Sequence, residues 1–263
     1  MSDDLQYQVT DRVAWIRLNR PEMKNAFTLE MIDEWAARLD EAGRDPGVGA
    51  IVVTGNGGSF CSGVDLAVIE DLQKRGDANA WKSLLWDRIH RIAFTLERLD
   101  KPVIAAMAGT AVGAGLDMGL MCDMRFAARS ATFCEGYIRI GAVPGDGGCY
   151  FLPRLVGRAK ALELFLSGEF IDAAEAHRIG MVNRVYDDEV LEAETQRFAQ
   201  KVVAHSPLAL KLIKRAVYQS AEAPLRMSLD MISSHMGVVQ TTEDAQEAFN
   251  AFREKRKPVF KGR

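Results

Sequence analysis

The run PVIAAMAGTAVGAGLDMG, residues 102–119, carries an apolar strand straight into a glycine-rich turn, and FCSGVDL, residues 60–66, follows the apolar run AIVVTG of residues 50–55 in the same way. Glycine lacks a Cβ and adopts positive φ, so a strand that ends like this lets its backbone approach a ligand closely. Where a helix then begins, the first N–H groups have no intrahelical acceptor and carry the positive end of the helix dipole. Such a turn suits an anion or a developing oxyanion. Each turn taken alone is equally well served by close packing of a helix on its strand. Gly113, Gly115 and Gly119 also follow a strand, but the dinucleotide fingerprint G-x-G-x-x-G needs its third glycine at Met118. A dehydrogenase is disfavoured on that ground.

Outward from these turns, strands and helices alternate. YQVTDRVAWIRLNRP, residues 7–21, predicts two short strands that turn at Asp11 and Arg12. Thr28 has the form of an N-cap, and Leu29, Ile32, Ala36 and Leu39 recur at helical spacing until Gly43 and Pro46 stop the pattern. Trp81, Leu85, Ile89, Ile92, Leu96 and Leu99 predict one helix face, broken by Lys101 and Pro102. Strands follow at residues 124–128 and 132–133, then the turn RIGAVPGDGG (139–148) and helix around residues 155–167. Asp172 with Glu175 forms a capping box, Gly180 fits a C′ position, and MVNRVY (181–186) reads as a strand. From Glu189 onward the patterns are helical. The organisation expected is an α/β core over residues 1–190 and a helical region over 191–263.

The totals narrow the function classes. The chain has 263 residues, 48% hydrophobic and 26% charged, with a net charge of -3. That is enough for one sizeable core. A slightly acidic balance argues against nucleic-acid binding, which brings a clustered basic face. Cys61, Cys122, Cys134 and Cys149 form no C-x-x-C pair and are expected as reduced thiols. The four histidines, His90, His177, His205 and His235, are isolated and lack metal-ligand spacing, so no metal is expected. A polar start and the lack of any apolar run near the ~18 residues of a membrane span make a cytoplasmic protein the expectation.

The two turns taken with LNRPEMKNAF (18–27), the turn RIGAVPGDGG, RLVGRAKALELFLSGEFIDAAEAHRIGMVNRV (154–185) and REKRKPVFKG (253–262) resemble the crotonase, or enoyl-CoA hydratase/isomerase, family over nearly the whole chain. The resemblance implies a spiral of ββα turns, a C-terminal helical region that mediates trimerisation into a homotrimer or a dimer of trimers, and an acyl-CoA thioester as substrate with no further cofactor. It assigns an oxyanion hole to the backbone N–H groups of Val64 and Ala114. Proton loss beside a thioester carbonyl moves negative charge onto its oxygen, and one preorganised donor is worth ~10² to 10³ in rate. By the same resemblance, Lys24, Ala26, Ser62, Gly63, Asp65, Leu66 and Lys257, with Lys261 nearby, are expected to contact coenzyme A. A solvated charge run is the alternative for the two C-terminal lysines.

Hydratases of the family place one glutamate three residues after the second oxyanion residue and another in the following turn; here those positions hold Asp117 and Tyr137. A phenol, with an ordinary pKa of ~10, is a poor base at neutral pH, though it donates a hydrogen bond or positions water. Asp146, in PGDGG, is a candidate to compensate, with a turn carboxylate bonding backbone amides as the alternative. Asp117 itself has a capping alternative. Glu135 enters the pocket only if the register shifts, and is expected outside it. Three functions stay open: a lyase or isomerase that holds an enolate while Asp117 moves protons, a carbon–carbon or thioester hydrolase using Asp146, and a non-catalytic acyl-CoA-binding member.

Overall fold

The computed structural model describes residues 3–263. Strands β1 (Leu5–Thr10) and β2 (Val13–Leu18) pair antiparallel across Asp11 and Arg12, whose φ angles of 49° and 65° make the tight turn. Helix α1 (Leu29–Arg44) is capped by Thr28, whose hydroxyl accepts from the Met31 N–H, and buries Met31, Ile32, Trp35, Ala36, Leu39 and Ala42 on one face. It ends at Arg44, between the Gly43 and Pro46 expected to stop it. A Cβ on Gly43 would stand 2.7 Å from Leu99 Cδ1, so this glycine admits a neighbouring side chain.

Strand β3 (Ala50–Gly55) joins β2 in parallel. The first glycine turn leads into α2 (Leu66–Arg75), a helix the sequence reading did not place. The single helix expected from Trp81 to Leu99 is three pieces: α3 (Ala78–Ser83), a π-helical stretch (Leu84–Ile89) and α4 (Arg91–Arg98). The wider turn, marked by the His90 N–H bonding Leu85 O at 2.8 Å, shifts the buried stripe onto Leu84, Ile89, Ile92 and Leu96.

Strands β4 (Val103–Met107) and β5 (Thr110–Val112) precede α5 (Ala114–Leu120); β6 (Met124–Ala128) and β7 (Thr132–Cys134) precede α6 (Gly148–Val156) and α7 (Arg158–Ser167). Each pass puts one strand in a large sheet and the next in a small one before its helix. The large sheet has the order β1-β2-β3-β4-β6-β9, with β8 (Ile171–Asp172), α8 (Ala173–Arg178) and β9 (Arg184–Tyr186) completing the last pass; the small one is β5-β7-β8. This is the expected spiral of ββα turns. Gly157, at φ 80°, separates α6 from α7, the helical segments expected around residues 155–167, and the strand expected over 181–186 shortens to its last three residues. Asp172 accepts from the Glu175 N–H at 2.8 Å, as its capping pattern predicts.

Four helices close the chain: α9 (Leu191–Val203), α10 (Pro207–Glu222), α11 (Leu225–Gln240) and α12 (Glu243–Arg253). Leu191, Ala199 and Val203 of α9 join the same apolar core as the sheet. By contrast α10, α11 and α12 leave Ile213, Val217, Leu225, Met227 and Phe252 exposed. Among the described residues no helix is long and apolar enough to cross a membrane.

Candidate active site

The first turn is fixed by a parallel bridge between Phe27 and Val64. Phe27 donates its N–H to Gly63 O and accepts from the Asp65 N–H, both at 2.9 Å. In a parallel bridge the residue between those two bonds points its own N–H away from the partner. The Val64 N–H therefore faces away from Phe27. The second turn delivers Ala114 as the first residue of α5, where the N–H has no intrahelical acceptor. The two turns interlock: Val112 N–H bonds Cys61 O at 3.1 Å, and a Cβ added to Gly115 would lie 2.2 Å from Cys61 O. Only glycine permits that approach. Gly63 completes it with a φ of 104°, a conformation that side-chain-bearing residues rarely adopt.

Asn25 holds the first turn from outside and was missed by the sequence reading. It is fully buried at φ 57°, donates to Asn56 O and Ser59 O at 2.8 and 2.7 Å, and accepts from the Arg20 N–H at 2.9 Å. Its signal in the sequence was an asparagine in a tight bend, a residue type that tolerates this conformation.

Asp117 sits one turn into α5, completely buried. Tyr137 and Asp146 reach it from a 3-10 turn (Gly136–Ile140) and from the loop before α6. The Tyr137 oxygen is 2.6 Å from Asp117 Oδ2 and 2.8 Å from Asp146 Oδ2. A phenol has one hydrogen, so it donates to one carboxylate at a time; the second contact becomes a bond when the other carboxyl carries a proton. Burial favours that proton. It pushes Asp117 up to about 7, against the Tyr137 hydrogen bond and with the Asp146 charge. Asp146 is raised by burial too, opposed by Tyr137 and His90, and Tyr137 lies well above the ordinary phenol range.

Glu135 corrects the expectation that it stays outside. It is 2% exposed, both its carboxyl oxygens lack a hydrogen-bond partner among the described residues, and the Asp117 carboxyl bears on it. Burial first, then the Asp117 charge, raise it to about 10. The last glycine of PGDGG also finds a reason here, since a Cβ on Gly148 would stand 2.4 Å from Asp117 Oδ1. His90, expected as a satisfied structural histidine, is one: a carbonyl only accepts, so Nε2–H donates to Gly145 O at 2.7 Å and steadies the residue before Asp146. Cys61, Cys122 and Cys134 are buried free thiols, and Cys149 is exposed.

Lys24, Ala26, Ser62, Gly63, Asp65 and Leu66 gather along the first turn. Lys24 O accepts from the Ser62 N–H at 3.0 Å, and Ser62 Oγ donates to Met23 O. The Asp65 side chain is occupied within the chain: it caps α2 through the Ala67 N–H, which with Arg20 at 2.7 Å holds the carboxyl below its usual range. Leu66 is 68% exposed. Lys261 is not brought to this site by its own chain. Lys261 lines a cavity of about 350 Å³ with Arg12, Gly49 and Lys101, where β3 and β4 begin, whereas the glycine turns follow the ends of those strands. A second cavity, of about 320 Å³ beside Asn56 and Glu192, also excludes Val64, Ala114 and Asp117.

The family model described as enoyl-CoA hydratase/isomerase matches residues 8–263. Among characterised relatives, the chain is 35% identical over 252 residues to the 2,3-dehydroadipyl-CoA hydratase of Escherichia coli, covering 96% of each chain. It is 34% identical to the 1,2-epoxyphenylacetyl-CoA isomerase of the same organism over 100% of both. The solved structure of enoyl-CoA hydratase from Bacillus anthracis superposes with a TM-score of 0.92 at 31% identity, covering 99% of this chain and 100% of that one.

Proposed function

The chain belongs to the enoyl-CoA hydratase/isomerase family, and from that premise we propose that it is an isomerase of unsaturated acyl-CoA thioesters. The thioester oxygen is held between the Val64 and Ala114 N–H groups. Asp117 removes a proton from a carbon of the acyl chain, the electron pair moves onto the thioester oxygen, and the proton returns to a different carbon. No water is consumed. The observation that carries this reading is the Tyr137 oxygen standing 2.6 and 2.8 Å from Asp117 and Asp146. It ties the two carboxyls to one phenol, so they do not form the free pair that hydration uses to hold and deprotonate water. A single base with a pKa near neutrality both takes and returns a proton, and Asp117 is raised to about 7.

Hydration or hydrolysis through Asp146 is the second reading. It is favoured by Asp146 Oδ1, buried without a donor among the described residues, which a water would satisfy. Lys24, Ala26, Ser62, Gly63 and Leu66 are proposed to line the coenzyme A path, and residues 191–263 to join copies into a trimer in the cytoplasm; the exposed apolar side chains of α10, α11 and α12 support that association.

Enoyl-CoAs of differing double-bond position and β-keto thioesters, incubated in ¹⁸O-labelled water with mass detection, separate the readings. Isomerisation gives a product of unchanged mass without label; addition or cleavage of a bond by water introduces ¹⁸O and refutes it. Asp117→Asn is expected to keep acyl-CoA binding and lower turnover by at least ~10². Unchanged turnover in that variant removes Asp117 from its role.

A further inference from the structure

We propose that Glu135 is a proton-holding positioning residue, whose carboxylic O–H donates to Asp117 and keeps that carboxylate ionised and aimed. The inference rests on Asp117 being the group that moves the proton in the proposed reaction.

The local chain path puts Glu135 there. Strand β7 pairs in parallel with β5, matching Cys134 to Val112, and Gly113 N–H bonds Cys134 O at 2.8 Å. The residue after Cys134 is thereby pinned beside the start of α5, one helical turn from Asp117. Glu135 is buried at that point, and neither Oε1 nor Oε2 has a donor; Asp117 Oδ1 and Asp146 Oδ1 also lack one among the described residues. Two ionised carboxyls have acceptors only, so their contact is repulsive. One proton between them turns it into an O–H···O bond that serves both residues.

The hydrogen belongs on Glu135, because the donor is on the other side of the pair. Asp117 has the Tyr137 hydroxyl at Oδ2. Glu135 has no donor. The groups facing the pair from the surrounding elements are Tyr137 of the 3-10 turn, Asp146 of the following loop and Cys149 of α6, with His90 acting on Asp146 alone. The charges bearing on Glu135 are negative, from Asp117 and Asp146, and its proton is held up to about 10. A protonated Glu135 in turn draws Asp117 downward, against the burial that raises it.

Carbon-13 NMR of the full chain labelled at Asp and Glu carboxyls, titrated from pH 5 to pH 10, tests this without any substrate. The expected result is one glutamate resonance that keeps its protonated shift at pH 8 and is missing from Glu135→Gln. Glutamine still has an N–H to donate, so the Asp117 midpoint in Glu135→Gln stays near the wild-type value. In Glu135→Leu, with no donor, it rises by about one pH unit, a tenfold change in proton affinity. An ionised Glu135 at pH 7, or an equal Asp117 midpoint in the Gln and Leu variants, overturns the proposal. If the Leu variant does not fold, the wild-type titration decides alone. Absence of turnover with every thioester would sink the proposed reaction and leave this titration untouched.

Discussion

Tyr137→Phe removes a single oxygen from the middle of the acid cluster and keeps the ring that fills the space. That oxygen is 2.6 Å from Asp117 Oδ2, and its hydrogen bond is the strongest influence holding the Asp117 carboxylate down. A hydrogen bond to a charged group contributes about 1.5–3 kcal/mol, and about 1.4 kcal/mol corresponds to one pKa unit. Asp117, at about 7 in the intact protein, should therefore rise by about one to two units in the variant. At pH 7 the ionised share of the base falls from about one half to between about one tenth and one hundredth, so kcat/KM drops roughly 5- to 50-fold. The sign is set by the role. A base works when ionised, so the acidic limb of the pH–rate profile moves to higher pH and the variant recovers toward wild-type rates near pH 9. The assay is kcat/KM for the best thioester substrate from pH 5.5 to 9.5, with circular dichroism to confirm folding. A limb that stays in place, or a loss that persists undiminished at pH 9, would show that the phenol does not control the ionisation of Asp117.

Other consequences are equally open to measurement. Gly115→Ala forces a Cβ to within 2.2 Å of Cys61 O; because both sides are backbone, acyl-CoA binding should fall at least ~10-fold with loss of stability of about 1–3 kcal/mol, and a normal titration and melting curve would contradict the interlocked turns. Asp65→Ala removes the cap of α2 and the ion-pair partner of Arg20, which keeps only its bond to Ala26 O. It should cost about 1–3 kcal/mol in urea unfolding, and a variant as stable as wild type would return Asp65 to a purely ligand-binding role. Stability should also fall with rising pH. Glu135 holds its proton up to about 10 and Asp117 up to about 7, both above the usual carboxyl values of 4.5 and 3.8, so the folded state binds more protons across those windows. The contribution of each is complete below its unfolded value and is lost as pH rises through its folded one, at up to about 1.4 kcal/mol per pH unit and group. Urea midpoints at pH 6 and pH 9 should converge in Glu135→Gln relative to wild type; an identical decline in both proteins refutes the assignment.

Much of the site is written locally in the chain. The glycines of FCSGVDL and AGTAVGAGLDMG mark backbone that other residues do not serve: at Gly115 a Cβ would meet Cys61 O, and Gly63 adopts a φ of 104°. Thr28 and Asp172 cap the helices that their spacing predicts, because a cap joins residues three apart. Gly43 marks the end of α1 and also admits the side chain of Leu99, a second role that its position in the chain does not reveal because Leu99 is distant in sequence. Trp81 to Leu99 kept a helical period that the π turn interrupts, since one extra residue per turn leaves little trace in a pattern of apolar residues.

The sequence by itself determined the alternating strands and helices and the two glycine-rich turns that end their strands, and set Asp117 and Tyr137 where the family resemblance implies glutamates. Those features depend on backbone conformation and on neighbours a few residues away. Tertiary structure alone decided the acid cluster and the ends of the sheet. Asp117 is 20 residues from Tyr137, and Asp65 is 45 from Arg20, so whether a carboxyl serves chemistry or a cap depends on which strands pair. Lys261, in the basic C-terminal run, lies in its own chain with the beginnings of β3 and β4, a choice of end that charge in a sequence does not encode. Glu135 is the sharpest case: the pairing of β7 with β5 buries it against Asp117, and burial without a donor gives an ordinary glutamate a proton to hold at neutral pH.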